Sequence, residues 1–467
     1  MICRTTPCRA LGAALAAALS LTTVVEPLRA AAPAVREMAI DPATGVLSAS
    51  LGNGVRAHHV ALSFRKGQVA VSLTFAQGRL DEDISAPWRL DAAAQGLVES
   101  LRRRLPPAEP PTEPQRQPLE QEGFVVLGWV EPDATMFELL GPAEQAPQAL
   151  ALLVEELLEP TLTAADLARA VEQRQQRRDR AAFWALWRAI PEALYPPSHA
   201  AALRRPGPQE LASVGADAAR AALQALARQA PLEVAIAGDL PRAAALEAVA
   251  QTLGRLPSRP WPAEAAPGRL RRLTLVAPTT LRAPSASEEA LVWTSLATAE
   301  QVERVSDAAL DAAATLLGLA AQRALSAQLG QEVRVRAYHR SLEPPFGQGS
   351  LSLYASVPPA SAAQAANLLA EVYGAVAGES PIDEETFRAA LARRVEERRQ
   401  SLRDPHTWAR FLSSLDLRRR DLRAFARSAE ALEAVGLEQA RRALQQVLAG
   451  ASPAQITVLP IGAGVDR

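Results

Sequence analysis

The order of strand-like and helix-like segments in the first half of the chain returns in the second, displaced by a nearly constant number of residues. ALALLVEE begins at 149 and AANLLAEV at 365, an offset of 216. The helix-capping residues Thr163 and Ser380 stand 217 apart, and the strands opening at Leu232 and Ala454 stand 222 apart. In both copies the second helix of a pair turns Arg-rich. A duplicated unit constrains the fold more than composition does, because whatever packs the first copy must also pack the second. The chain is expected to be α+β, two tandem homologous domains, each an antiparallel-rich sheet packed against helices. The boundaries read as 1–30 for an export signal, 36–254 for the first domain, 255–270 for an exposed Pro-rich linker and 271–463 for the second domain.

Local patterns fill in this plan. GVLSASLGNGVRAHHVALS places an Asn53–Gly54 hairpin signal between two β-prone runs. Val69, Val71, Leu73 and Phe75 alternate with small or polar neighbours, as a strand does. GRLDEDISAPWRLDAAAQGL (78–97) then opens a helix whose Leu90, Ala94, Leu97 and Leu101 share a face. A Pro-rich stretch, Pro106 to Pro118, ends it. Thr163 with Asp166 forms a capping box for one long helix through LTAADLARAVEQRQQRRDRAAFWALWRAI; Ser380, Pro381 and Asp383 open its counterpart. In the second copy a helix is predicted over Asp307–Leu329, and Leu351, Leu353, Ala355 and Val357 alternate along a strand.

A formal net charge of −1 gives no support for a nucleic-acid partner. Both cysteines, Cys3 and Cys8, fall in a basic-then-apolar leader that reads as a secretory signal, with cleavage near Ala30. The expectation is a periplasmic protein, secretion to the medium being the alternative, with no stable membrane insertion after cleavage and no thiol nucleophile.

The hairpin LGNGVRAHH, the strand VSLTFAQGRLDED and the helix after it resemble the opening of the insulinase/pitrilysin family of zinc peptidases. The resemblance continues through the paired helices and VAIAGDL, and covers essentially the whole mature chain. It implies two insulinase-like domains that form half of a closed chamber. Such peptidases hold zinc with H-x-x-E-H on the first helix, two imidazoles one turn apart and a Glu that activates water. On this chain the window reads Asp91, Ala92, Ala93, Ala94, Gln95. Asp91 replaces the first His, Ala94 the general base and Gln95 the second His. Glu172 stands alone about where a third ligand belongs. The resemblance therefore implies the fold without the activity, and no zinc in this chain.

Other sites read weakly. His58 and His59 are adjacent on a strand and point to opposite faces; His199, His339 and His406 lie apart from them. Arg334, Arg336 and Tyr338 alternate on one strand face and are the substrate-binding candidates, by analogy with an Arg and a Tyr that steady the substrate carbonyl in the active relatives. The preferred expectation is a non-catalytic subunit that pairs with a zinc-bearing homologous peptidase subunit, the two enclosing an extended peptide. The alternatives are a stand-alone polypeptide-binding or scaffold protein and a metallopeptidase with an unrecognised site.

Overall fold

The computed structural model describes residues 35–83, 85–105, 123–176, 181–194, 204–259, 261, 279–283, 288–298, 305–340, 349–378, 382–448 and 452–461. The leader, the 106–118 loop, His199 and most of the expected linker lie outside the described residues.

The first half runs β1 (Val35–Ile40), β2 (Leu47–Leu51), β3 (Arg56–Ala61), β4 (Gln68–Phe75), α1 (Arg89–Arg104), β5 (Val125–Val130), β6 (Thr135–Pro142), α2 (Ala146–Leu158), α3 (Ala164–Gln176), α4 (Ala181–Leu194), α5 (Pro208–Ala212), α6 (Ala216–Gln229), β7 (Leu232–Gly238) and α7 (Arg242–Thr252). The second runs β8 (Thr279–Ala283), β9 (Ala290–Ala297), α8 (Asp307–Leu329), β10 (Val335–Arg340), β11 (Ser350–Val357), α9 (Ala362–Gly378), α10 (Glu384–Ser401), α11 (Pro405–Leu412), α12 (Leu422–Ala426), α13 (Ser428–Glu433), α14 (Leu437–Leu448) and β12 (Ala454–Pro460).

Strand order carries the duplication. The first sheet is β1-β2-β3-β7-β4-β6-β5 and the second β10-β11-β9-β12-β8. Read from its other edge, the second sheet repeats β3-β7-β4-β6-β5 strand for strand. In each sheet one pair is parallel, β3 with β7 and β8 with β12, and its other pairs are antiparallel. The fold is thus α+β in two homologous tandem halves.

Each sheet packs one face on its own helices. Val71, Leu73 and Phe75 of β4 meet Leu90, Leu97 and Leu101 of α1 in the first core, and Leu351 and Leu353 of β11 meet Leu310 and Leu317 of α8 in the second. The opposite faces are covered by exchange. From the second half, Trp408, Ala409 and Leu412 of α11 pack on Val60, Ala70 and Ala235 of the first sheet. From the first half, Leu186 and Ala189 of α4 pack on Trp293, Ile456 and Val458 of the second. The single long helix predicted after Thr163 is therefore two, α3 and α4, because the second of them serves the other half. The Thr163–Asp166 box forms as predicted: Asp166 accepts from the Thr163 amide at 2.7 Å and donates its own amide to the Thr163 hydroxyl at 3.3 Å. In the second copy the cap is Asp383, which accepts from the Thr386 amide at 2.7 Å.

Behind α11 the chain forms a polar strap over the first sheet. Ser413 bonds the hydroxyls of Ser72 at 2.9 Å and Thr74 at 3.0 Å. Glu233 accepts the amides of Asp416 at 2.8 Å and Leu417 at 3.0 Å, and Glu138 bonds His406 at 2.7 Å. Buried carboxylates in mid-strand are tolerated because the strap supplies their partners.

At the described start of the expected linker Arg255, Pro257 and Ser258 are exposed, while Leu256 and Arg259 anchor it to the first half. Leu256 and Arg259 are each 3% accessible, and Arg259 donates to the Ala230 carbonyl at 2.9 Å. Asn53 explains this: its amide donates to the Leu253 and Leu256 carbonyls, and a Cβ on Gly54 (φ +88) would fall 2.2 Å from the Arg259 carbonyl oxygen. Only glycine lets the hairpin approach so closely.

Candidate functional site

Helix α1 starts without a side-chain cap of its own. Trp88 stands before it in the left-handed region (φ 71), and Glu82 reaches across to take the Trp88 amide at 3.1 Å and the Leu90 amide at 2.7 Å. Burial is the leading cause that pushes the Glu82 carboxyl above its ordinary range.

One turn later comes the window in which the resemblance seeks zinc ligands. Asp91, 4% accessible, accepts from Arg79 Nε at 2.8 Å and Nη2 at 3.3 Å. Arg79 also donates to the Val130 carbonyl. Ala94 is fully buried, and Gln95 donates its amide to the Gly128 carbonyl at 2.7 Å. Arg102, two turns on, reaches the Val126 carbonyl at 3.4 Å. Val126, Gly128 and Val130 are alternate residues of β5, the edge strand of the first sheet. In an antiparallel edge every second residue turns its carbonyl away from the neighbouring strand. Here three such carbonyls in a row are taken by side chains from α1 and Arg79.

These residues do not fit a zinc ion, which takes imidazole, thiolate or carboxylate donors. Ala94 has no donor, Gln95 spends its amide on a carbonyl, and a cation beside Asp91 would meet the Arg79 guanidinium. Glu172 is exposed on α3. Its neighbour Gln173 is the residue that faces α1, bonding Glu99 at 3.1 Å and Arg102 at 2.9 Å.

A second acidic group, His58, Glu233 and Asp416, has donor atoms within 4.8 Å of one another. Its lone pairs are already committed. His58 bonds Ser48 and Glu233, Glu233 takes two strap amides, and Asp416 holds Arg56 at 2.6 Å. It ties the strap down. His59 faces the other way, as adjacent strand residues must, and bonds the Leu240 carbonyl at 2.8 Å.

Arg79 also forms part of the wall of a cavity of about 950 Å³ between the two halves. The first half contributes Arg79, Glu131, Asp133 and Arg205, and the second Trp293, Tyr338 and Arg340, with Arg418 entering from the strap. Of the predicted substrate-binding residues, Tyr338 lines this cavity, its hydroxyl 3.4 Å from Trp293 Nε1. Arg334 and Arg336 are exposed and lie outside the lining, Arg334 just before β10. The lining arginine of β10 is Arg340. Sequence reasoning missed it, and missed Arg79, because neither belongs to the family motifs. Glu131 and Asp133 share Arg418, with Asp133 at 2.9 Å. Burial pushes both carboxyls up; Arg418 overrides this at Glu131 and holds it at about 2, while at Asp133 burial prevails and the pKa is raised.

The fold is an internally doubled sheet-and-helix arrangement, and Asp91, Ala94 and Gln95 of its first helix are engaged in packing and hydrogen bonds. Residues 213–393 match the family model described as peptidase M16 inactive domain. No curated protein matches it. Among solved structures, the peptidase inactive-domain protein from Pseudomonas fluorescens is similar at 16% identity and TM-score 0.64, over 90% of this chain and 99% of that one. The periplasmic protease PqqL from Escherichia coli is similar at 16% identity and TM-score 0.64, over 97% of this chain and 49% of that one. The ferredoxin protease FusC, solved in complex with Arabidopsis ferredoxin, is similar at 15% identity and TM-score 0.64, over 92% and 46%. The chain spans about half the length of these two proteases. Among the described residues no helix is long and apolar enough to cross a membrane.

Proposed function

We propose that this chain is the non-catalytic partner of a zinc-bearing insulinase-type subunit, the two together enclosing a polypeptide. The observation that carries the reading is the rebuilt window. Where a peptidase needs donors, Arg79–Asp91 and Gln95 close the β5 edge, yet the fold and the cavity between its halves are kept. A closed edge cannot accept an added strand. The partner supplies the metal and the pairing edge, and this chain supplies the facing wall. The length comparison supports a half-unit role, since this chain spans about half the length of PqqL and of FusC. Export to the periplasm belongs to the same proposal, supported by the basic-then-apolar leader and by the periplasmic location of PqqL.

The test is reconstitution. The chain is mixed with a zinc-bearing homologue from the same genome and run on size exclusion, and cleavage of a quenched peptide is followed. A complex, with cleavage above that of the homologue alone, is expected. Separate elution together with unchanged cleavage would sink the proposal.

A further inference from the structure

The cavity holds more positive charge than its own acids neutralise. Asp91 is paired with Arg79, Glu131 and Asp133 with Arg418, and Asp311 with Arg398 at 2.9 Å. Asp421 caps α12, accepting the Arg423 and Ala424 amides at 2.9 Å. Neither Asp421 nor Asp307, in the first turn of α8, has an ion-pair partner among the described residues. Against them stand Arg205, Arg340 and Arg419, which line the same space and whose guanidiniums make no ion pair or hydrogen bond among the described residues.

Arg205 precedes α5 in the first half, and Arg340 ends β10 in the second. Arg205 and Arg340 are exposed to solvent on the cavity wall; partial desolvation, then the nearby Arg79 and Arg340 cations, push the Arg205 pKa down. Arg340 also acts on Glu131 from across the cavity. Unpaired guanidiniums gathered in a concave, partly desolvated space repel one another, and that cost is relieved when an anion enters. A guanidinium matches a carboxylate in planar, two-point geometry. Trp187 and Trp293 line the same cavity and give it apolar surface beside the charges.

We propose that this cavity binds a carboxylate-bearing peptide, with Arg205 and Arg340 gripping an acidic side chain or the chain terminus from opposite halves. The inference rests on the polypeptide-binding reading and adds the chemical class of the ligand. It is tested on the isolated chain, so failure to form the two-subunit complex leaves it standing, and the reverse also holds.

The probe is the intrinsic tryptophan fluorescence of the full chain, titrated at low ionic strength with three peptides of equal length. One carries Glu residues and an amidated end, one Gln residues with a free carboxyl end, and one Gln residues with an amidated end. Saturable binding of the first or second, and none of the third, is expected; which of the two binds tells a side-chain from a terminal carboxylate. Arg205→Gln and Arg340→Gln each weaken binding by roughly tenfold, the loss of one charge-assisted contact. Arg228→Gln, at an exposed position of α6, leaves it unchanged. Raising the salt weakens binding. Inorganic phosphate competes only at high concentration; tight phosphate binding with no peptide response overturns the proposal. Equal binding of all three peptides, or wild-type binding by the double variant, also overturns it. Neither guanidinium holds a partner among the described residues, so the variants are expected to fold, and the peptide series on the wild-type chain decides the matter independently of them.

Discussion

Arg79 and Asp91 are the residues on which the emptied window turns. Both are nearly inaccessible, and their pair is closed by a further bond to the Val130 carbonyl. Arg79→Ala strands a buried carboxylate and frees that carbonyl, so a stability loss of about 3–5 kcal/mol is expected in urea unfolding. The double replacement Arg79→Met with Asp91→Leu costs far less, because no charge is left alone. If both variants lose the same amount, the pair is not what holds this corner. Glu131 sets an acid response. Its carboxyl falls from 4.5 to about 2 on folding, so the stability it lends is complete above 4.5 and is lost as pH falls towards 2. Asp133, raised, works in the opposite sense, since the penalty for ionising it disappears as pH falls. Glu131→Gln should therefore destabilise the protein at neutral pH, with the gap to wild type closing between pH 4.5 and 2. A gap constant over that range contradicts the assignment.

At the level of elements, strand β5 is held to α1 by a seam of side-chain hydrogen bonds. Its alternate carbonyls are met by Arg102, Gln95 and Arg79, which come from α1 and the turn before it. Gln95→Ala leaves the Gly128 carbonyl unpaired and should cost about 1–3 kcal/mol. Gln95→Glu places an acceptor against that carbonyl. It should destabilise more than alanine at neutral pH and recover part of the loss as acidification protonates it, the sign expected of a carboxyl raised on folding. Thermal melts of both variants across pH check this; a Glu variant no worse than the Ala variant removes the capping role.

In the whole molecule, α4 and α11 are exchanged between the halves, and the strap carries the second half over the first sheet. A chain ending at 254 keeps every strand of the first sheet but loses the partners of Glu138, Glu233, Ser72 and Thr74. Buried polar groups without partners are costly, so this piece alone should fail to fold cooperatively and should bind a hydrophobic dye. A synthetic 404–427 segment added to it should reduce the dye binding. The intact chain should unfold in one transition; two separate transitions would mean that the halves are independent.

The duplication and the strand and helix order were legible in the sequence, because each rests on local signals: a period of two, a period near 3.6, a cap three residues from its partner. The bounds predicted for the second copy's long helix, Asp307–Leu329, are those found. The edge cap, the strap and the charged cavity were not legible, because each joins residues far apart. Glu138 meets His406 across 268 positions, and Glu233 meets the Asp416 amide across 183. Mid-strand glutamates in otherwise apolar runs were the only trace of the strap. The sequence by itself determined that Ala94 brings no donor atom to α1 and that Gln95 brings an amide. Only the tertiary contacts decided what those residues do instead, because a hydrogen bond is set by distance in space and not by spacing along the chain.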